Sequence, residues 1–449
     1  MGPRHLRALM QQVNLGIVGG GTVGGGVYQA VERNGPLMAS RLGVRLEVAR
    51  VAVRNLRKRR PVKIPARKLT TDWRAVVEDP GVHLVIELMG GTETAREVTL
   101  RAFALGKPVV TANKALISKH GEELFAAAGK HGVSFHYEAS VAGGIPIIKV
   151  LREALIGNRI TRLYGILNGT CNYILTRMKR EGAAYQDVLA DAQRLGYAEA
   201  EPSLDVDGLD AMHKAGILAS LAHGFWVNPR QIHVAGIRGI QQLDIQFAEK
   251  LGYTIKLLAV IKRSETNGAN GKCPPIQVSV CPTLVPNTHV LASVNEVFNA
   301  VFVRGDIVGD TLYYGRGAGQ DATASAVLSD LADAALDLKF GGPNRIPPFV
   351  PHERDGSILP LAKVVTPFYL RLNVLDQPGV MAKVATILAK NSIGISSVIQ
   401  PEGHEGKSVP LILMIHDAPY AAMRKALKQI SRLPVVKGTP VLYPVENFD

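Results

Sequence analysis

A chain of 449 residues is long enough for two or three domains, and 47% hydrophobic with 20% charged residues describes a soluble globular protein. No run of 18 apolar residues is present, which excludes a transmembrane helix. The formal charge of +14 favours anionic ligands; without a zinc finger or aromatic–basic interleaving, small anions are favoured over nucleic acid. The opening "MGPRHLRALMQQVNLGIVGGG" carries no cleavage site of a signal peptide, and Cys171, Cys273 and Cys281 form no CxxC pair. Both features lead to the expectation of a reducing cytoplasm.

In chain order, the first element is a short apolar strand, Leu15 to Val18. It enters a turn, "GGGTVG", comprising Gly19, Gly20, Gly21, Thr22, Val23 and Gly24, and a helical stretch follows. Gly19, Gly21 and Gly24 keep G-x-G-x-x-G spacing: a tight turn, close approach of backbone N–H groups to a pyrophosphate, and close helix–strand packing. A dinucleotide site is expected there, at the helix N-terminus. The second strand, "LEVARVAV" (46–53), ends in Arg54, with Arg57, Lys58, Arg59 and Arg60 behind it. An acid at that end would hold a ribose 2′-OH; arginine suits a 2′-phosphate, so NADP(H) is preferred and NAD(H) possible. A plain solvated loop is the ordinary alternative for the same run, and a nuclear-localisation signal is a second.

Strand and helix continue to alternate: "HLVIELMGG" (83–91), a helix over 94–106, "KPVVTANK" (107–114) and "VSFHYEASVAGGIPI" (133–147). The pattern predicts an α/β fold with a Rossmann-type doubly wound parallel sheet over 12–138. Ligands bind beyond the C-terminal strand ends, which draws attention to Thr92 in "GGT", Lys114 in "TANK" and the loop "EASVAGG". A central α+β region follows over 139–340, with strands such as 256–263 and 276–285 joined by a loop, 263–275. It is expected to carry the substrate site and the oligomer interface. The Gly-rich "GRGAGQDATASAV" (315–327) precedes a helix, Thr323 to Leu338, and returns Gly317 to the nucleotide cleft.

Residues 341–365 read as a linker, because "FGGPNRIPPFVPHERDGSILP" holds five prolines and three glycines. Residues 366–449 then give β-α-β-β-α-β, with Pro378-Gly379 opening the first helix. This order resembles an ACT domain, a class of small domains that bind amino acids at interfaces or serve only in assembly.

The stretch "DVDGLDAMHK" (205–214) gathers three acids and a lysine. With a helix starting near Asp207, that residue is the expected N-cap, and Asp210 and Lys214 share one face. An i,i+4 ion pair on a solvated surface is the ordinary reading of the last two. "NGT" at 168–170 matches a glycosylation sequon that a chain without a secretory signal would not use. No H-x-x-x-H metal pattern occurs among the histidines.

Seven stretches resemble the homoserine dehydrogenase family in order and spacing: "GGGTVG", "ELMGG", "TANKAL", "YEASVAGGIPII", "NGTCNYIL", "AEAEPSLDVDGLDAMHKAGIL" and "GRGAGQDATASAV". Glu201 in place of Asp before "PS", and the extra Gly20, are small departures. The resemblance implies interconversion of L-aspartate 4-semialdehyde and L-homoserine with NAD(P), within threonine, methionine and isoleucine synthesis. It implies Lys214 as proton donor, Lys114 in contact with cofactor and substrate, Asp205 as the group orienting a water or the lysine, and Glu199 and Asp210 as substrate ligands. It further implies a structural sodium ion on the carbonyls of Glu138, Val141, Gly143 and Ile145. A homodimer or homotetramer and feedback inhibition by L-threonine at the ACT-like domain complete the expectation. Another NAD(P) dehydrogenase with an ACT domain, or a non-catalytic amino-acid sensor, are the competing readings; the stretches "TANK", "NGTCNYIL" and "DVDGLDA" argue against the first, and the second would have lost the site lysines and acids.

Overall fold

The computed structural model describes residues 10–264, 273–342, 347–401 and 408–448. The chain divides into two compact units, one of residues 1–161, 216–229 and 299–355, the other of 162–215, 230–298 and 356–449. The loop expected over 263–275 lies mostly outside the described residues.

The first unit opens with β1 (Gln11–Val18), α1 (Thr22–Leu42), β2 (Val44–Ala52), β3 (Leu69–Thr70), α2 (Arg74–Val77), β4 (Leu84–Glu87), α3 (Glu93–Ala104), β5 (Val109–Thr111), α4 (Lys114–His131) and β6 (Phe135–His136). The six strands form one sheet in the order β3-β2-β1-β4-β5-β6, and every neighbouring pair is parallel. Parallel strands covered on both faces are apolar throughout, and β4, "LVIE", is buried at all four positions. The order reverses between β1 and β4, which opens a crevice beyond their carboxyl ends.

The middle of the chain gives β7 (Ile160–Ile166), α5 (Gly169–Glu181), α6 (Tyr185–Arg194), α7 (Ser203–Val206), α8 (Leu209–His223), β8 (His233–Val234), α9 (Gln242–Lys250), β9 (Tyr253–Arg263) and β10 (Ile276–Pro286); these belong to the second unit except for residues 160–161 and 216–223, which count with the first. Strand β9 pairs antiparallel with both β7 and β10, and β8 adds to β10 in parallel.

Returning to the first unit, β11 (Phe298–Gly305) and β12 (Gly309–Arg316) are neighbours in their sheet and lead into α10 (Gln320–Phe340). Helix α10 is longer at both ends than the pattern predicts, and closes at Gly341 in the left-handed conformation. Its Ala324, Val327, Leu331 and Ala335 share a core with Val27 and Val31 of α1 and Val48 of β2.

The C-terminal elements β13 (Val365–Leu375), α11 (Val380–Lys390), β14 (Ile395–Ile399), β15 (Ser408–Pro419), α12 (Tyr420–Ile430) and β16 (Val436–Pro444) build an antiparallel sheet in the order β14-β15-β13-β16. Leu370, Leu372 and Val374 of β13 share a core with Val384 and Leu388 of α11 and Met423 and Ile430 of α12. This is the ACT-like arrangement.

Within the segment expected as a linker, several described residues make contacts with the fold. The Tyr137 hydroxyl donates to the Pro348 carbonyl (2.6 Å), Phe349 packs on Phe125 and Trp226, and His352 N donates to Gly224 O. Ile276 of β10 exchanges backbone hydrogen bonds with Ser357 and Leu359. The chain end returns too: Glu446 accepts from Lys262 and from the Tyr164 hydroxyl, each at 3.1 Å, and Phe448 stacks on His289.

Candidate active site

The nucleotide cleft is built at the sheet's reversal point. Residues Gly19 to Thr22 and Arg54 line a cleft of about 530 Å³ with Asn55, Lys58, Arg59, Arg60, Thr71, Trp73, Leu88, Met89, Gly90 and Thr94. Gly19 sits at φ +113°, and a Cβ there would lie 2.4 Å from the Leu88 carbonyl oxygen. A Cβ at Gly24 would lie 1.9 Å from the Gly19 oxygen, so Gly24 brings helix onto strand. Around Gly21, the N-cap of α1, a Cβ would meet nothing within 4 Å. That open space over exposed helix N–H groups fits a dinucleotide pyrophosphate. Val23 and Gly24 stand behind the turn and are not among the lining residues. Thr92 caps α3 and Gly317 lies in the turn before α10; neither lines this cleft.

Lys114 is the first residue of α4, after Asn113, whose side chain accepts from Leu116 N as an N-cap. The Asn113 amide also donates to Gly91 O (2.8 Å), joining the "TANK" and "ELMGG" turns. Beneath them Glu87, fully buried, accepts from Thr111 Oγ1 (2.6 Å) and Met89 N (2.8 Å). Burial pushes its carboxyl up to about 7 against those hydrogen bonds. Its folded value therefore lies above its unfolded one. The stability Glu87 contributes is present in full below about 4.5 and is lost as pH rises through about 7. Compared with Glu87→Gln by urea unfolding, the parent protein will lose on the order of 3 kcal/mol between pH 4.5 and pH 8. Parallel curves for the two proteins would rule out a neutral, proton-holding Glu87.

The acid–lysine cluster lies in the second unit. Lys214 Nζ donates to Asp210 Oδ2 and to the Leu167 carbonyl, both at 2.7 Å, and the two side chains are 10% and 8% exposed. The i,i+4 pair is thus buried, unlike the solvated pair its spacing alone suggests. Asn168, the first residue of the "NGT" sequon, is central: its amide donates to Asp205 Oδ1 (2.7 Å) and Asp210 Oδ2 (2.9 Å), while its oxygen caps α5 at Cys171 N. Cys171 donates its thiol hydrogen to the Asp205 carbonyl. Asn168 was not foreseen as a site residue; its position before "GTC" marks it only as a helix cap. Glu199 is exposed, on the segment after α6, and Gln193 donates to its backbone carbonyl.

Asp207 corrects the sequence reading. It is not the N-cap of the lysine's helix; it ends α7, Gly208 at φ +83° follows, and α8 begins at Leu209. Its carboxylate pairs with Arg238 at 2.5 Å.

In the "EASVAGG" loop the chain reverses at Ala142 (φ 54°) and Gly143 (φ 44°). The Glu138 carboxylate already accepts from Ile148 N (2.9 Å) and Lys149 N (2.7 Å), so a cation at this turn would draw on backbone oxygens. Burial and the neighbouring Asp330 raise the Glu138 carboxyl to about 8.

A nucleotide cleft on a doubly wound sheet, in a chain that buries a lysine among carboxylates, belongs to the pyridine-nucleotide-linked oxidoreductases. Family models described as homoserine dehydrogenase and as its NAD binding domain match residues 146–332 and 19–138, and an AHAS small subunit-like ACT domain model matches 370–437. Homoserine dehydrogenase of Pseudomonas aeruginosa is 44% identical over 444 residues, covering 98% of this chain and 100% of that one. The crystal structure of a homoserine dehydrogenase from Thiobacillus denitrificans is 44% identical, with a TM-score of 0.91 over 98% of this chain and 99% of the other. A hyperthermophilic archaeal homoserine dehydrogenase in complex with NADPH, 27% identical, gives 0.60 over 74% of this chain and 99% of its own. The chain belongs to the homoserine dehydrogenase family. No helix among the described residues is long and apolar enough to cross a membrane.

Proposed function

We propose that this chain reduces L-aspartate 4-semialdehyde to L-homoserine, and reverses that step, with NADPH preferred over NADH. The observation that carries the reading is the Lys214 ammonium, buried and held by Asp210 and the Leu167 carbonyl. Two of its three N–H donors are engaged, which orients the third for a substrate oxygen. Bound NADPH supplies the hydride. Lys214 gives its proton to the oxygen as charge develops there, and stabilises that charge before transfer. Asp210 and Glu199 hold the substrate ammonium, and Asp205, fixed by Asn168, orients the proton donor or a water. Lys114, at a helix N-terminus, contacts cofactor and substrate. The test is NADPH consumption on adding aspartate semialdehyde; no oxidation of NADPH or NADH defeats the reading.

The cofactor preference rests on Arg54, Lys58, Arg59 and Arg60 lining the same cleft as the glycine turn. Arg54→Ala will lower kcat/KM with NADPH roughly 10-fold or more while that with NADH changes little, if the guanidinium meets a 2′-phosphate. Equal losses with both cofactors would take Arg54 out of the argument.

A sodium ion on the carbonyls of Glu138, Val141, Gly143 and Ile145 suits hard oxygen ligation and would rigidify this turn. The enzyme works as a homodimer or homotetramer in threonine, methionine and isoleucine synthesis. L-Threonine inhibits it by binding near Asp376–Gly379, where Gly379 caps α11 and Gln400 donates to Asp376. Threonine will lower activity of the full chain, and Asp376→Ala will abolish that loss. Inhibition that survives the substitution would move the effector site elsewhere.

A further inference from the structure

His136 is a buried imidazole to which the reaction gives no task. It lies at the end of β6, beside Val110 of β5, and is 4% exposed. Neither ring nitrogen has a hydrogen-bond partner. Such a group costs stability unless something not visible in the sequence satisfies it. Helix α10 turns an acidic stripe toward it. Asp330 and Asp333, one turn apart, present carboxylate oxygens that lie, with a His136 nitrogen, all within 4.8 Å of one another. A further turn along, Asp337 Oδ2 is 3.7 Å from His136 Nε2, too long for a hydrogen bond. Asp330 is 2% exposed and its Oδ2 accepts from Glu138 N at 2.8 Å. The ammonium facing the stripe is that of Lys149, 2.6 Å from Asp333 Oδ2 and 2.6 Å from Ser329 Oγ. All these groups belong to the first compact unit.

We propose that His136, Asp330 and Asp333 form a binding site for one divalent first-row cation of the zinc type. One imidazole nitrogen and two carboxylates are the donor set that such borderline cations take, with water completing a tetrahedron. This differs in kind from an alkali ion on backbone carbonyls at the neighbouring turn: here the donors are side chains, one of them nitrogen. Zinc bonds of about 2.0–2.2 Å put tetrahedral donors roughly 3.3–3.5 Å apart, so donors spread over as much as 4.8 Å contract by up to about 1.5 Å. Asp333 is the donor able to move, being the half-buried member of the three. Its movement exchanges Lys149 for the metal and leaves the ammonium on Ser329. The bound cation clamps β6, and the turn that follows it, to α10.

The experiment uses the full chain, stripped with chelator and kept in sodium chloride so that alkali-ion sites stay filled. It is titrated with zinc by calorimetry, and with cobalt(II) by the visible absorption that reports coordination geometry. One equivalent per chain with micromolar or tighter affinity is expected. Asp333→Asn and His136→Gln each weaken binding at least roughly 10-fold. Lys149→Met, which removes the competing ammonium, tightens it. No saturable binding in the micromolar range overturns the proposal, as does unchanged binding in Asp333→Asn. The half-buried Asp333 makes that variant the deciding one if His136→Gln fails to fold. An octahedral cobalt spectrum without nitrogen ligation marks surface carboxylates as the binding groups and equally overturns it.

Discussion

Lys214→Ala will lower kcat for semialdehyde reduction by about 10²–10⁴-fold, with NADPH affinity unchanged. The magnitude follows from what the side chain does in the proposed reaction. Its proton neutralises an oxygen that gains charge as hydride arrives, so its effect is concentrated in the transition state rather than in ground-state binding. Asp210 and the Leu167 carbonyl fix Nζ at 2.7 Å each, so little reorganisation is left for the moment of reaction. Removing the ammonium also leaves Asp210 buried without its cation, so a thermal unfolding scan must show the variant folded at the assay temperature. The measurement is steady-state kcat with saturating semialdehyde, beside a fluorescence titration with NADPH. Turnover within a few-fold of the parent would return Lys214 to the role of a helix ion-pair partner.

The second large effect concerns stability. Arg371→Met will destabilise the protein by about 3–5 kcal/mol, because it strands Asp244 as an uncompensated charge. Arg371 Nε lies 2.6 Å from Asp244 Oδ1 and its Nη2 is 3.0 Å from Oδ2, with side chains 3% and 0% exposed. The same carboxylate accepts from the Tyr369 hydroxyl and from Gln241 N, closing a capping box on α9. Strand β13 of the ACT-like sheet and helix α9 are thereby joined by a charged, satisfied network. Replacing both partners, as in Arg371→Met with Asp244→Leu, should recover much of the loss, since an apolar pair carries no desolvation cost. Urea unfolding of the single and double variants measures this. A single-variant loss below about 1 kcal/mol would mean the pair is screened by solvent. A chain cut near Pro360 would lose Arg371, Glu446 and the strand that answers them.

Local patterns carry much of the architecture, because they are set by neighbours in the sequence. The glycine spacing from Gly19 to Gly24, the apolar strands before each turn and the β-α-β-β-α-β tail are all constraints of a few residues' reach. The same holds for Asp210 and Lys214, which share a helix face at i,i+4 spacing wherever the helix goes. Contacts across many residues were not legible. Asn168 reaches Asp205 and Asp210, 37 and 42 positions away, and reads alone as a sequon or a cap. Asp207 has the composition of an N-cap, but Arg238, 31 positions on, claims its carboxylate, and Gly208 breaks the chain between the two helices. The proline-rich stretch reads as a linker from its composition; that Tyr137 binds Pro348 and Ile276 binds Ser357 and Leu359 is equally a matter of distant contacts.

By itself, then, the sequence determined the glycine-turn nucleotide domain, the ACT-like tail and the pairing of Lys214 with Asp210, since backbone sterics and helical periodicity act within a turn or two. Only the tertiary structure decided which charges are buried. Glu87, His136 and Arg371 look like ordinary polar residues in the chain, and Lys214, by its spacing alone, like half of a solvated ion pair. Burial removes water from each of them, and what then satisfies them — a carbonyl, a carboxylate, a proton or a cation — depends on groups that only folding brings within reach.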